Sequence, residues 1–141
     1  MNLSEHFTLE ELTFTNHREY DNTPNQVQIG NLTRLAEFLE KVRYTLYDRP
    51  IIIDSGFRSP EVNQAVRSTS VSQHLRGCAA DIRVPGMTPA EVVKAIHGSD
   101  LPFDQLILEL TWTHISIPNT DDAEPRNMAL IIDKKGTRLY A

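Results

Sequence analysis

His74 and Asp81 stand seven positions apart in the stretch "SVSQHLRGCAADIRV", residues 71 to 85, with Gly77, Ala79 and Ala80 between them. Imidazole nitrogen and carboxylate oxygen are good ligands for zinc, whose catalytic sites take three protein donors and leave a fourth position open. The small residues would let the backbone turn closely around an ion. A third donor should come from a neighbouring strand, and His114 in "TWTHISI" is the candidate. In an extended segment Trp112, His114 and Ser116 share one face, opposite Thr113, Ile115 and Ile117, so His114 sits on the polar side. Plainer readings exist for each residue. A lone histidine is more often hydrogen-bonded or at the surface than a ligand, and Asp81 could pair with Arg76 or Arg83. His6, His17 and His97 carry no such pattern and are assigned no chemistry.

These residues need elements to hold them. Thr8 and Glu11 have capping-box spacing, which predicts a short helix from "FTLEEL". From Gln26 to Tyr47, Ile29, Leu32, Leu35, Ala36, Leu39, Val42 and Leu46 recur at helical spacing, so a long helix should lay an apolar stripe on a sheet. Ile51 to Ile53 form a β-branched run that reads as a buried strand. Ser59 and Pro60 start a short helix, as do Thr88, Pro89 and Glu91, the latter closed by Gly98. "STSVSQ" reads as a loop. "AADIRV", "FDQLILEL", "THISI" and "NMALIID" read as strands, and "DKKG" turns the chain into a last edge strand, "TRLYA". Helices lead and strands dominate the second half, which predicts an α+β domain with a mostly antiparallel sheet and the N-terminal helices packed on one side.

The chain has 141 residues, which suits one domain spanning 1–141. A formal charge of −5 without a basic run argues against a nucleic-acid partner. No stretch approaches the ~20 apolar residues of a membrane helix, so no membrane insertion is expected. Cys78 is the one cysteine, which excludes an internal disulfide. The opening "MNLSEHFTLEEL" has no basic region followed by an apolar run, so no secretory signal is visible.

Ser72-x-His74-x-x-Gly77-x-Ala79-x-Asp81 resembles the signature of the zinc D-alanyl-D-alanine carboxypeptidases, the related dipeptidases and the L-alanyl-D-glutamate endopeptidases of phage lysins. "SGFRS" upstream is similar to the arginine motif of that family and "WTHIS" to its closing segment, in the same order. "FTLEELTFTN" through "DNTP" is similar to the opening of phage-encoded members. The resemblance implies a small α+β domain whose antiparallel sheet carries Zn²⁺ on His74, Asp81 and His114. The ion would polarise the scissile carbonyl and lower the pKa of its water toward ~7. A carboxylate must then accept a proton and pass it to the leaving amine. Family members often carry an acid three positions before the last histidine, and here that position is Thr111. Glu109, five positions before, is the alternative base, provided that strand register survives the bend at Thr111 and Trp112; Asp104 is the reserve.

Arg58 is implied to meet the substrate near the scissile bond through forked hydrogen bonds; as a structural residue it would pair with Asp54 or Glu61. Ser72, Gln73 and Trp112 are implied to line the same cleft and bind substrate. The implied activity is zinc-dependent hydrolysis of an amide bond in peptidoglycan stem peptides, carboxypeptidase-like, by a monomer. An L-alanyl-D-glutamate endopeptidase and a non-catalytic, zinc-containing peptide-binding module are the alternatives. Action on the cell wall after phage-type release, or as part of a virion, is the implied location.

Overall fold

A computed structural model describes all residues, 1–141. Four α-helices and six strands follow the chain as α1 (Leu9–Leu12), α2 (Gln26–Thr45), β1 (Ile52–Ser55), α3 (Pro60–Ala65), β2 (Ala79–Arg83), α4 (Pro89–His97), β3 (Gln105–Glu109), β4 (Thr113–Ser116), β5 (Met128–Asp133) and β6 (Gly136–Leu139). A 3₁₀ turn, Gln73–Arg76, precedes β2. The expected helix starts are in place. Thr8 and Glu11 close a capping box on α1, Thr88 and Glu91 close another on α4, and the Ser59 hydroxyl caps α3 ahead of Pro60. Asn25 and Gln28 add a third box at the head of α2. Gly98 ends α4 with a right-handed φ of −79°, so its freedom to go left-handed is not used. α2 stops two residues before Tyr47, where Tyr47 and Asp48 both turn to positive φ (59° and 61°) and end the helix.

The sheet is six-stranded in the order β1-β2-β4-β3-β5-β6. Every neighbouring pair is antiparallel except β3 with β5. This is the mostly antiparallel α+β fold expected, with a single parallel pairing that brings the last hairpin beside β3.

Period-2 alternation divides the sheet into two faces. Ala80, Ile82, Leu106 and Ile115 are fully buried and join Leu32, Leu35, Leu39 and Val42 of α2, and Val93 and Ile96 of α4, in one hydrophobic core. The helices therefore cover that face. Asp81, His114, Ile107 and Glu109 alternate with these residues onto the other face, which α3 and the 3₁₀ turn border. Burial of an aliphatic side chain is worth about 1.5–3 kcal/mol each, so the core face pins the register. A one-residue slip would exchange the site residues for core residues.

Candidate metal centre and active-site cleft

Strand register places Ser55, Asp81, His114 and Ile107 directly across β1, β2, β4 and β3 as one row. Two of the three expected donors thus meet because their strands pair. The third, His74, comes from the 3₁₀ turn. Ser72 Oγ accepts from the His74 N–H at 3.2 Å and starts the turn. Gly77 ends it at φ +76°, where a Cβ would lie 3.0 Å from both the Gln28 carbonyl oxygen and Leu32 Cγ. Only glycine meets both the left-handed conformation and the close approach.

His74 is held from two sides. Its Nδ1 donates to the Gly56 carbonyl at 2.7 Å, and its own carbonyl accepts from the Arg58 N–H at 3.0 Å. With Nδ1 so engaged, the lone pair of Nε2 faces Asp81 Oδ1 at 3.4 Å. His114 Nδ1 lies 3.0 Å from the same oxygen. One ligand atom from each of the three residues falls within 4.8 Å of the others. Zinc–ligand bonds of about 2.0–2.1 Å in tetrahedral geometry put ligand atoms about 3.3 Å apart, and the two spacings of 3.4 and 3.0 Å are close to that value. A carbonyl partner behind a ligating histidine is also the arrangement that fixes tautomer and ring orientation in metal sites.

The electrostatics agree with that donor set. Burial pushes His74 down from its ordinary value, which favours the neutral imidazole that binds metals. Burial alone would raise the Asp81 carboxyl, but the two imidazoles and their hydrogen bonds outweigh it and hold the group far below the usual carboxylate range. Asp81 is therefore held ionised, the form in which a carboxylate can bind a cation.

Arg58 Nη2 donates to Asp81 Oδ2 at 3.2 Å, and Nε donates to Ser55 Oγ at 3.1 Å. Neither Asp54 nor Glu61 is its partner. Asp54, at the irregularity in the β1–β2 register between Ile53 and Ser55, pairs instead with Arg83 through contacts of 2.8 to 3.0 Å. The same pairing removes Arg83 as a partner for Asp81.

The β3–β4 link is a tight turn in which the Glu109 N–H donates to the Trp112 carbonyl at 3.2 Å. Register holds through it, since Leu106, Ile107 and Leu108 face Ile115, His114 and Thr113 in turn. Glu109 therefore shares a face with Ile107 and His114. Thr111 does not border the cleft of the cluster; it lines a separate depression with Ile52, Ile82, Arg83 and Thr113. Burial raises the Glu109 carboxyl, and the charge of Asp81 raises it further; His114, Arg58 and the Trp112 indole act in the other direction. Trp112 Nε1 is itself buried and without a partner.

Eight of the residues singled out from the sequence border one cleft of about 670 Å³: Arg58, Ser72, Gln73, His74, Asp81, Glu109, Trp112 and His114. Two expectations change. Asp104, the reserve base, is 3% exposed and ion-paired to Arg126 at 2.6 Å, away from the cleft wall. Gln73 borders the cleft but spends its amide inward, with Nε2 donating to Asp104 Oδ2, the Ile117 carbonyl and Asn119 Oδ1 at 2.9 to 3.1 Å. Its geometry is that of a residue that positions the turn under His74, not of one that touches substrate. Cys78 is buried and outside the cluster. His6 and His17 pair with Glu40 and Glu19, and His97 packs edge-on against Tyr140 at 5.0 Å.

Sequence reasoning did not find Gly56 as the partner of His74, nor Arg126 on the cleft wall. "SGFRS" held a signal for the first, since a glycine beside a short strand often marks a close backbone approach. Arg126 lies in a polar connection that carries none.

No helix is long and apolar enough to cross a membrane. No curated protein matches the chain at a significant level. The family model described as Peptidase M15 matches residues 5–116, a span that contains the histidine–aspartate–histidine cluster, Arg58 and Glu109. The chain belongs to the Peptidase M15 family of metallopeptidases.

Proposed function

We propose that the chain hydrolyses an amide bond in peptidoglycan stem peptides, in the manner of a D-alanyl-D-alanine carboxypeptidase, using Zn²⁺ held by His74, Asp81 and His114. The observation that carries this reading is the position of Glu109, on the same sheet face as Asp81 and His114 and in the same cleft as all three donors. Bound there, zinc supplies Lewis-acid polarisation of a carbonyl and a water acidified toward ~7. The protein's own residues supply the rest. The Glu109 carboxylate, raised by burial and by Asp81, accepts a proton and returns it to the leaving amine. Arg58 is fixed by Asp81 and Ser55 and offers its remaining donor edge to the substrate carbonyl or carboxylate. Ser72 and Trp112 border the cleft together with the histidines and are the residues that a bound peptide would meet beside them.

An internal cut, as in an L-alanyl-D-glutamate endopeptidase, is the second reading. The cleft favours it in one respect: its wall runs beyond the cluster to Gln105 and Arg126 and also includes Arg67, Thr69 and Val71, more lining than the cluster alone needs. A non-catalytic peptide-binding module would keep the metal and lack turnover.

Incubation of the zinc-loaded protein with purified peptidoglycan and with defined stem peptides separates the three. Released D-alanine identifies the carboxypeptidase, and new internal amino groups identify the endopeptidase. Loss of either product on His114→Ala ties it to the site. Absence of any product from a chain that holds one zinc leaves the binding module.

A further inference from the structure

The chemistry of the cleft changes toward the start of β3. Asp104 sits one residue before that strand and its carboxylate takes four hydrogen bonds from Arg126: backbone N to Oδ1 at 3.0 Å, Nε to Oδ1 at 3.1 Å and to Oδ2 at 3.0 Å, and Nη2 to Oδ2 at 2.6 Å. Gln73 Nε2 donates to the same carboxylate at 3.1 Å. The Asp104 side chain is 5% exposed and that of Arg126 is 50% exposed. Arg126 lines the cleft, and its Nη1 donates to no acceptor of the protein. A buried anion thus grips one edge of the guanidinium and leaves the other edge open to the cleft.

The guanidinium is not needed to close the connection before β5. The Asn127 N–H to Phe103 carbonyl bond (3.1 Å) and the Met128 N–H to Asp104 carbonyl bond (2.9 Å) already tie it to β3. The carboxylates that border the cleft, Asp81 and Glu109, stand with Arg58 at the histidine cluster, whereas the partner of Arg126, Asp104, lies behind it and outside the cleft wall.

The spacing says which part of a peptide would reach it. The Asp104 N–H bonds the Ser116 carbonyl, two residues beyond His114. At about 3.3 Å per residue along a strand and about 4.8 Å between strands, the guanidinium lies on the order of 7–12 Å from the histidines. An extended peptide covers that distance in two to three residues.

We propose that Arg126 is a specificity-determining residue whose free edge binds a substrate carboxylate two to three residues from the bond that is cut. The inference rests on the peptidase reading of the cleft. The matched family segment ends at residue 116, before Arg126. The carboxylate belongs either to an acidic side chain or to a chain terminus. Pre-set by Asp104, the guanidinium loses little freedom on binding.

The test uses peptides that span the cleft, each made with a carboxylate and as its carboxamide twin, amidated either at the side chain or at the C-terminus. Kinetics and calorimetric binding are measured for the wild type, Arg126→Gln, and the double variant Asp104→Asn/Arg126→Gln, which leaves no unpaired buried charge. The expected result is a fall of about tenfold in kcat/KM for the carboxylate peptide, carried by KM, with the carboxamide peptide unchanged. Whichever amidation abolishes the wild-type preference identifies the source of the carboxylate. Equal losses on both twins, or equal affinities of wild type and variants for the carboxylate peptide, overturn the assignment. A wild type that prefers the carboxylate peptide in binding but releases no product sinks the peptidase reading and leaves Arg126 as the carboxylate contact.

Discussion

Gly56→Ala should damage both the fold and the metal site, and the structure sets the size of each effect. The Gly56 carbonyl receives the Nδ1–H of His74 at 2.7 Å. A Cβ on Gly56 would press into the Leu12 carbonyl oxygen at less than any real Cβ contact, with Leu12 C and Cα at 3.1 Å. All three are backbone atoms, so no side chain can swing aside. The Leu12 oxygen also accepts the Phe57 N–H at 2.7 Å, and that bond joins α1 to the segment carrying Arg58. Relief therefore requires a shift of α1 or of the segment that grips His74. Overpacking of this kind costs about 1–3 kcal/mol, and a weakened buried hydrogen bond adds about 1 kcal/mol. The total of about 2–4 kcal/mol corresponds to a Tm lowered by about 4–16 °C in a domain of this size. Displacing the carbonyl that orients His74 should weaken metal binding by about 10–100-fold. Thermal unfolding in chelator isolates the first effect, and competition with a chromophoric chelator measures the second. A variant that melts within about 2 °C of the parent and holds zinc as tightly would refute the claim that this close approach positions His74.

Gly30→Ala is the contrasting glycine: it lies inside α2 with nothing within 4 Å of the added Cβ, so it should stabilise by about 0.5–1 kcal/mol, seen as a small rise in Tm. Glu109→Gln should lower turnover by about 10²–10⁴ while zinc content stays at that of the parent. Because burial and Asp81 raise the Glu109 carboxyl, its charge opposes folding above its ordinary pKa, so the metal-free variant should melt no lower than the parent at neutral pH. Asp104 has the opposite sign. Burial opposes its ionisation, but the Arg126 hydrogen bonds prevail and hold its carboxyl below the usual value. Its contribution is therefore complete above its unfolded pKa, about 4, and is lost as pH falls through the lower folded value. Asp104→Asn should flatten the decline of Tm below about pH 4; an unchanged acid limb would remove this pair from the pH dependence. Zinc at about 1,000 times its Kd should stabilise the folded chain by about 4 kcal/mol, so adding chelator should lower Tm, and His114→Ala should abolish that difference.

Helix starts were legible because their determinants are local: Thr8 with Glu11, Ser59 with Pro60, and Thr88 with Pro89 and Glu91 each lie within one turn. The end of α2 was not, because Tyr47 and Asp48 enter positive φ without a glycine or asparagine to announce it. In the site, His74, Asp81 and His114 could be picked out because few residue types ligate zinc and because alternation puts His114 opposite Ile115. The competition between Thr111 and Glu109 could not be decided from spacing. It depends on how many residues the β3–β4 turn takes, and with Leu110 and Thr111 in the turn, alternation carries Glu109 to the His114 side and Thr111 away from it. Arg126 was out of reach for a different reason. Its place follows from the parallel pairing of Gln105 with Met128, a contact between segments more than twenty residues apart that no local pattern encodes. The same non-local logic governs the histidine–aspartate–histidine cluster. Asp81 and His114 are 33 residues apart in sequence and face each other only through the β2–β4 ladder, whose opposite face is Ala80 and Ile82 on β2 and Ile115 on β4, all fully buried under α2 and α4. The apolar residues that never touch the cleft therefore decide whether its ligands meet, and a slip of one residue in that ladder would bury the ligands and expose the core.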